Sequence, residues 1–242
     1  MQKIKSQFKN SLYAIKLVML SILGCSTTNL QQRVLGQAGN TSTEHYEKMF
    51  SIPVTEIDGN IRLIQTRVCF PRANKKAPLV ILNHGSPHSI ADRRNVSGYT
   101  CNSEPVQWFL SRGYLVASPI RRGYGITGGV WSEKYGPCDQ PDYINAGLET
   151  ARDIQAAVNF LTKIPESQSE HVVIIGQSAG GWGTIAYSSL PHNNVSALIN
   201  MAGGRGGHKN QIKNQNCSPD SLIRAAGQFG KSEHTNMLWI YA

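Results

Sequence analysis

Short apolar runs and one amphipathic stretch divide most of the chain into alternating strands and helices. Residues 150–163 predict a helix, because Ile154, Val158 and Leu161 recur at a spacing that places them on one helical face. A helix of small residues is predicted to begin at Ala179. The apolar runs that predict buried strands lie at 78–82, 114–118, 172–175, 197–200 and 237–241.

A β-hairpin is predicted before the first buried strand. Residues 52–57 and 61–68 are rich in β-forming residues, and they flank Asp58-Gly59, a dipeptide typical of tight hairpin turns. Strand and helix then alternate, with a further short helix predicted at 106–112. This order predicts an α/β fold in which a mostly parallel sheet is covered by helices on both faces.

The first 25 residues have the pattern of a secretory signal peptide. A basic segment precedes a short apolar run at 17–23, which is too short to span a bilayer, and the sequence ending at Cys25 resembles a bacterial lipobox. We therefore expect a lipoprotein signal peptide at 1–25, a polar tether at 26–48 and the folded domain at 49–242. Lipid on Cys25 is expected to anchor the exported protein to a membrane, in the periplasm or at the cell surface. A plain signal peptide or a membrane-proximal helix stays open.

The net charge of +9 does not indicate a nucleic-acid-binding protein. Four of the positive charges are lysines before residue 25, and the others are spread singly and in pairs without a clustered basic face. With 40% hydrophobic and 16% charged residues, the composition is that of a globular protein. We therefore expect a small-molecule ester or a peptide as the partner, and no nucleic acid.

A G-x-S-x-G motif follows the predicted strand at 172–175. Gly176 and Gly180 flank Ser178, and the predicted helix begins at Ala179. A serine on a sharp turn from strand to helix is held in strained geometry with its hydroxyl above the sheet, and the flanking glycines remove side chains that would clash there. The helix N-terminus directs N–H groups and a positive dipole end at the same point. The motif predicts Ser178 as a nucleophile.

A second segment supplies the other half of an oxyanion hole. Residues 83–87, Asn-His-Gly-Ser-Pro, follow the predicted strand at 78–82. A tetrahedral intermediate needs two N–H donors, one from the residue after the nucleophile and one from a loop after an earlier strand. We predict Ala179 and Ser86 for these donors, with Gly85 allowing close approach. His84 is expected at the rim, bracing the loop rather than acting as a base.

Taken together, these motifs resemble the α/β-hydrolase superfamily, in its dienelactone-hydrolase and prolyl-oligopeptidase-like branch. The resemblance rests on residues 84–87, 121–125 and 176–181 and covers about residues 50–242. It implies an acyl-serine mechanism on a carboxylic ester, with Arg122, Tyr124 and Arg205 in loops at the rim of the site. Dienelactone hydrolases use a cysteine nucleophile where this chain has Ser178, so lactone specificity does not carry over.

The resemblance also implies a catalytic acid after the strand at 237–241, and a histidine after one further helix and strand. The sequence printed here ends at Ala242, and all seven histidines precede position 235. We therefore expect a C-terminally incomplete domain that lacks the last strand and helix of the fold, so the activity of the chain itself stays open. His208, oriented by Asp220, is the best internal substitute for the base.

Two alternatives to an esterase stay open: a prolyl-oligopeptidase-like serine peptidase, and an inactive hydrolase-fold protein. No metal-binding or nucleotide-binding motif stands out, so no metal and no cofactor is expected. If the protein is exported, its remaining four cysteines can form disulfides. Cys138 and Cys217 are the favoured pair, because both lie in loops after strands at the same edge of the sheet; other pairings and free thiols stay open.

Overall fold

A seven-stranded sheet forms the centre of the protein. The computed structural model describes residues 45–72, 75–232 and 235–241. The strands are β1 (Tyr46–Thr55), β2 (Ile61–Phe70), β3 (Leu79–Asn83), β4 (Leu115–Ile120), β5 (Val172–Gln177), β6 (Val195–Met201) and β7 (Met237–Ile240).

The strand order in the sheet is β1-β2-β4-β3-β5-β6-β7. β2 pairs antiparallel with both β1 and β4, whereas the pairs from β4 through β7 are parallel. The hairpin turn between β1 and β2 contains Asp58 and Gly59, and Gly59 has a φ of 82°, which a glycine adopts without strain. The predicted mostly parallel sheet with an N-terminal hairpin is confirmed.

Helices lie on both faces of the sheet. They are α1 (Ile90–Arg94), α2 (Glu104–Leu110), α3 (Tyr143–Leu161), α4 (Ala179–Ser188) and α5 (Pro219–Phe229). In β3, Leu79 and Ile81 pack with α3 and α4, whereas Val80 and Leu82 pack with α2 on the opposite face. Because successive side chains of a strand point to opposite faces, a strand buried on both sides reads as a continuous apolar run.

Several element boundaries differ from the sequence prediction. β1 begins at Tyr46, inside the stretch 26–48 that was expected to be a tether. Helix α3 begins at Tyr143, seven residues before the predicted start, because Asp142 caps it by accepting a hydrogen bond from the N–H of Asn145 (2.9 Å). Helices α1 and α5 were not predicted.

Two disulfides tie the loops to the core. Cys138 is bonded to Cys217, the pair favoured from the sequence, and Cys69 is bonded to Cys101. The predicted signal peptide with Cys25 lies outside the described residues, as does most of the predicted tether. Within the described part of the chain, no helix combines the length and the apolar character needed to span a bilayer.

Candidate active site

Ser178 occupies the sharp turn between β5 and α4. Its backbone has φ 51° and ψ −115°, a conformation that is strained for a residue with a side chain, and the residue is exposed. The two flanking glycines make room for the turn. A β-carbon on Gly176 would meet the carbonyl oxygen of Gly180, and one on Gly180 would meet the carbonyl oxygen of Asn83. Only glycine fits at either position.

The loop after β3 reaches Ser178 from the other side. A β-carbon on Gly85 would lie 3.3 Å from Cβ of Ser178 and 3.8 Å from its Oγ. The backbone N–H of Ser86 has no acceptor among the described residues, and neither has that of Ala179, the first residue of α4. Two unengaged N–H donors therefore belong to the segments that meet at the serine hydroxyl.

The loop after β6 completes this side of the turn. The N–H of Ser178 donates to the carbonyl of Met201 (3.0 Å), and the N–H of Gly204 donates to the carbonyl of Ser178 (3.2 Å). The side chain of Asn200 is buried and accepts from the N–H of Gly203 (2.9 Å). These bonds fix the backbone of the turn independently of the hydroxyl.

Ser178 opens onto a cleft of about 540 Å³. The floor and walls come from the loop after β3, the segment around Trp131, the loop after β6 and helix α5. Among the side chains that line it are Ser86, Arg93, Trp131, Arg205, His208 and Leu222. An exposed hydroxyl beside unengaged N–H donors, in a cleft of this size, suits attack on a carbonyl carbon.

No described side chain forms a hydrogen bond with Oγ of Ser178, so none of the described histidines is placed as its base. His88 and His208 line the cleft with their rings 4.7 Å apart. No ion pair or hydrogen bond joins His208 to Asp220 in the described part of the chain, so this candidate substitute for the base and its acid is not assembled. His192 is bonded to Leu190 and Thr235 at another side of the sheet, and His234 lies outside the described residues.

His84 is buried behind the cleft rather than at its rim. Its Nδ1 lies 2.7 Å from the carbonyl oxygen of Gly85, and its Nε2 accepts from the backbone N–H of Arg121 (3.3 Å). Burial, together with the nearby guanidinium of Arg121, lowers the pKa of His84 to about 3. The ring is therefore neutral, with the proton on Nδ1, and it braces the loop that carries Gly85.

Of the other residues expected at the rim, Arg205 lines the cleft, whereas Arg122 and Tyr124 are buried away from it. The guanidinium of Arg122 is held by Asp153 (2.6 Å) and Glu149 (2.8 Å) of α3. The prediction that Arg122 lies at the rim is therefore wrong, because its guanidinium binds two carboxylates on one face of α3. Burial raises the pKa of Asp153 to about 6, although Arg122 opposes this shift.

Glu133 is the main residue of this region that the sequence did not indicate. It is completely buried, and its carboxylate is paired with Arg121 and Arg205 and accepts from the hydroxyl of Tyr124 (2.8 Å). Burial alone would raise the pKa of Glu133, but the two guanidinium groups outweigh it and hold the pKa below its usual range. Glu133 thus links the loop after β4 to the loop after β6.

Neither a metal nor a cofactor site was expected from the sequence. In the ranges that the structure describes, no three His, Cys, Asp or Glu side chains are grouped as metal ligands would be.

Comparison with known proteins places this arrangement in a family. Residues 58–227 match the family described as X-Pro dipeptidyl-peptidase (S15 family), and this match includes β2 through most of α5. No curated protein matches the sequence.

Solved structures show the same fold. The acylaminoacyl peptidase of Pyrococcus horikoshii is 18% identical with a TM-score of 0.53, over 81% of this chain and 31% of that one. An acetyl xylan esterase from Paenibacillus sp. R4 is 14% identical with a TM-score of 0.55, over 84% and 70%. A structure from a study of two prolyl endopeptidases is 15% identical with a TM-score of 0.57, over 82% and 29%.

The chain therefore has the α/β-hydrolase fold, and it spans about a third of the length of the peptidases that it matches.

Proposed function

Because the chain belongs to the X-Pro dipeptidyl-peptidase (S15) family of α/β-hydrolases, we propose that it is a serine hydrolase that cleaves a carboxylic ester through an acyl-Ser178 intermediate. The observation that supports this most strongly is the strained, exposed Ser178 between β5 and α4. The N–H groups of Ala179 and Ser86 hold the oxyanion, and water then releases the acyl group.

The described residues do not bring a general base to Ser178. A serine hydroxyl is a weak nucleophile without one. The reaction therefore requires a general base that is not among the side chains hydrogen-bonded to Ser178 in the described residues. If the protein isolated from its own cells supplies no such base, we expect it to be an inactive hydrolase-fold protein.

An ester is favoured over an amide by its leaving group. An amine leaves only after it takes up a proton from the catalytic histidine, whereas an activated alcohol leaves without one. An ester therefore demands less of the site, and one protein with the same fold is an acetyl xylan esterase. A peptidase is the second candidate, and the family match favours it, since the family is described as X-Pro dipeptidyl-peptidases, enzymes that release an X-Pro dipeptide from a peptide.

Hydrolysis of a matched ester and amide by the protein from its own cells tests the proposal. Para-nitrophenyl butyrate and the para-nitroanilide of butyric acid differ only in the leaving atom. We expect turnover of the ester, loss of that turnover in Ser178→Ala, and none with the anilide. An X-Pro anilide cleaved faster than the ester would establish the peptidase instead. Equal rates for wild type and Ser178→Ala would support the inactive protein.

Export and lipid anchoring through Cys25 are a separate part of the proposal. The two disulfides support it, because structural disulfides are typical of oxidising compartments and rare in the cytosol. Metabolic labelling with a fatty acid tests it. We expect wild type to incorporate the label and Cys25→Ala to lose it, and a labelled Cys25→Ala would contradict the assignment.

A further inference from the structure

The charged side chains that line the cleft at Ser178 are all positive. Arg93, Arg205 and Lys213 line it together with His88 and His208, and no aspartate or glutamate is found among the described lining residues. Arg93 and Lys213 form no ion pair with any described carboxylate. A cleft of this composition attracts an anion and offers nothing to pair with a cation.

Arg205 belongs to a buried cluster with an excess of positive charge. One carboxylate, that of Glu133, is shared by the guanidinium groups of Arg121 and Arg205, and all three side chains are at least nine-tenths buried. The two other titratable groups of the cluster are neutral: burial and Arg121 lower the pKa of His84 to about 3, and burial raises the pKa of the Tyr124 hydroxyl. Two guanidinium groups thus share one carboxylate, while Asp153, the other buried carboxylate that acts on Arg121, is already paired with Arg122.

One donor of this cluster has no partner. Nε of Arg205 is buried and makes no hydrogen bond within the described part of the chain. Arg205 lines the cleft and directly follows Gly204, whose N–H is bonded to the carbonyl of Ser178. Because an unsatisfied buried donor is costly, an acceptor on a bound ligand is the natural way to satisfy it.

Trp131 holds a second guanidinium in the same wall. The guanidinium carbon of Arg93 lies 4.0 Å from the centre of the indole ring, and that of Arg205 lies 5.8 Å from it. Arg93 is further fixed by a hydrogen bond from Nη1 to the carbonyl of His88 (3.1 Å). Stacking on an indole positions a guanidinium while leaving its in-plane donors available to a carboxylate.

We propose that the cleft at Ser178 selects substrates that carry a carboxylate close to the scissile ester, with Arg205 and Arg93 as the groups that bind it. This deepens the proposed function and rests on it, since it assigns the substrate class of the same site. It also argues against a dipeptide with a free N-terminus as the substrate, because the described cleft has no carboxylate to pair with the terminal ammonium.

Binding of three probes of the same shape tests this selectivity without requiring turnover. Phenylbutyrate, phenylbutanamide and phenylbutylammonium are titrated by calorimetry into the whole protein carrying Ser178→Ala. We expect the carboxylate to bind at least about tenfold more tightly than the amide, as one charge-assisted hydrogen bond would give, and the ammonium to bind more weakly than either. Equal binding of the three, or tighter binding of the ammonium, would overturn the proposal.

Variants separate the residues involved. Arg93→Gln changes a side chain that is not fully buried, so the fold is retained. This variant is expected to weaken carboxylate binding about tenfold. Arg112→Gln is the matched control. The guanidinium carbon of Arg112 lies 3.8 Å from the centre of the Trp108 ring, and neither residue lines the cleft. Arg205→Gln is expected to remove the preference for carboxylate over amide. An unchanged preference in Arg93→Gln and Arg205→Gln would contradict the assignment.

The two proposals fail separately. Carboxylate-selective binding in a protein that hydrolyses no ester would remove the proposed function and leave the anion selectivity standing. Ester hydrolysis that depends on Ser178, with no preference for carboxylate probes, would do the reverse.

Discussion

Gly85 contacts Ser178 so closely that a β-carbon on the glycine would lie 3.3 Å from Cβ of the serine and 3.8 Å from its Oγ. The contact joins the loop after β3 to the turn after β5, and so brings the N–H of Ser86 to the nucleophile side of the sheet. A glycine is needed here for the approach of two segments and not for an unusual backbone conformation.

Gly85→Ala is therefore expected to slow acylation of Ser178 with little change in the free energy of unfolding. The added methyl group occupies space beside the hydroxyl that an acyl group needs, and a displacement of this kind costs about tenfold or more in rate. Rates of ester hydrolysis and thermal unfolding of the variant measure the two effects.

Gly227→Ala in α5 is the control for that substitution. A β-carbon on Gly227 would meet nothing within 4 Å, so the change should leave hydrolysis unaltered. It should raise the free energy of unfolding by up to about 1 kcal/mol, because alanine favours the helix more than glycine does. Equal loss of hydrolysis in both variants would remove the steric explanation.

Arg122→Met is expected to destabilise the fold by about 3–5 kcal/mol, because it leaves the buried carboxylates of Asp153 and Glu149 without the cation that they share. The more exposed pair of Lys48 and Glu166 is the comparison, and Lys48→Met should cost less than about 1 kcal/mol. Denaturant unfolding of the two variants gives both values. Similar losses would mean that Arg122 is not a buried structural cation.

His84 is expected to make stability fall as the pH drops below about 6. Its folded pKa of about 3 lies below the value of an unfolded histidine. Between the two values the unfolded chain binds a proton that the folded protein does not, so the contribution of His84 to stability is lost as pH falls, at roughly 1 kcal/mol per pH unit. The raised pKa of Asp153 acts in the opposite direction over the same range, so the effect of His84 is measured as a difference between variants. His84→Asn should reduce this slope between about pH 6 and pH 5 by that amount. An unchanged slope would mean that His84 titrates normally in the fold.

Removing the disulfide between Cys138 and Cys217 should cost more stability than removing the one between Cys69 and Cys101. The first closes a loop of 79 residues and the second a loop of 32. In the chain-entropy model, closing these loops raises the free energy of unfolding by about 4.5 and about 3.7 kcal/mol, respectively. Paired Cys→Ala variants, unfolded by denaturant under otherwise equal conditions, measure the difference, and the opposite order would contradict the model.

The sheet and the turn at Ser178 were predictable because their signals are local in sequence. Residues 172–175 are an apolar run, and Gly176 and Gly180 stand two residues on either side of Ser178. Consecutive positions therefore predict the strand, the turn after it and the first residue of the next helix. By contrast, the start of α3 was missed because Gly147 and Glu149 interrupt its apolar face before residue 150, although Glu149 is a buried carboxylate.

The buried ion pairs were not predictable because they join residues of different elements and loops, most of them far apart in the sequence. Glu133 lies in a loop without any motif, and its partner Arg205 is 72 residues away. Arg122 was expected at the rim because it follows a strand, but Asp153 on α3 decides where its guanidinium goes. Only the spacing of Glu149 and Asp153, one helical turn apart, hinted at a shared cation on that face.

Covalent labelling of Ser178 tests the central claim most directly. The protein isolated from its own cells is treated with a fluorophosphonate, digested, and the modified residue located by mass spectrometry, with Ser178→Ala treated in parallel. The account predicts one phosphonylated residue, Ser178, and no labelling of the variant. A label on another serine, or none on Ser178 under conditions that modify an active serine hydrolase completely, would contradict Ser178 as the nucleophile.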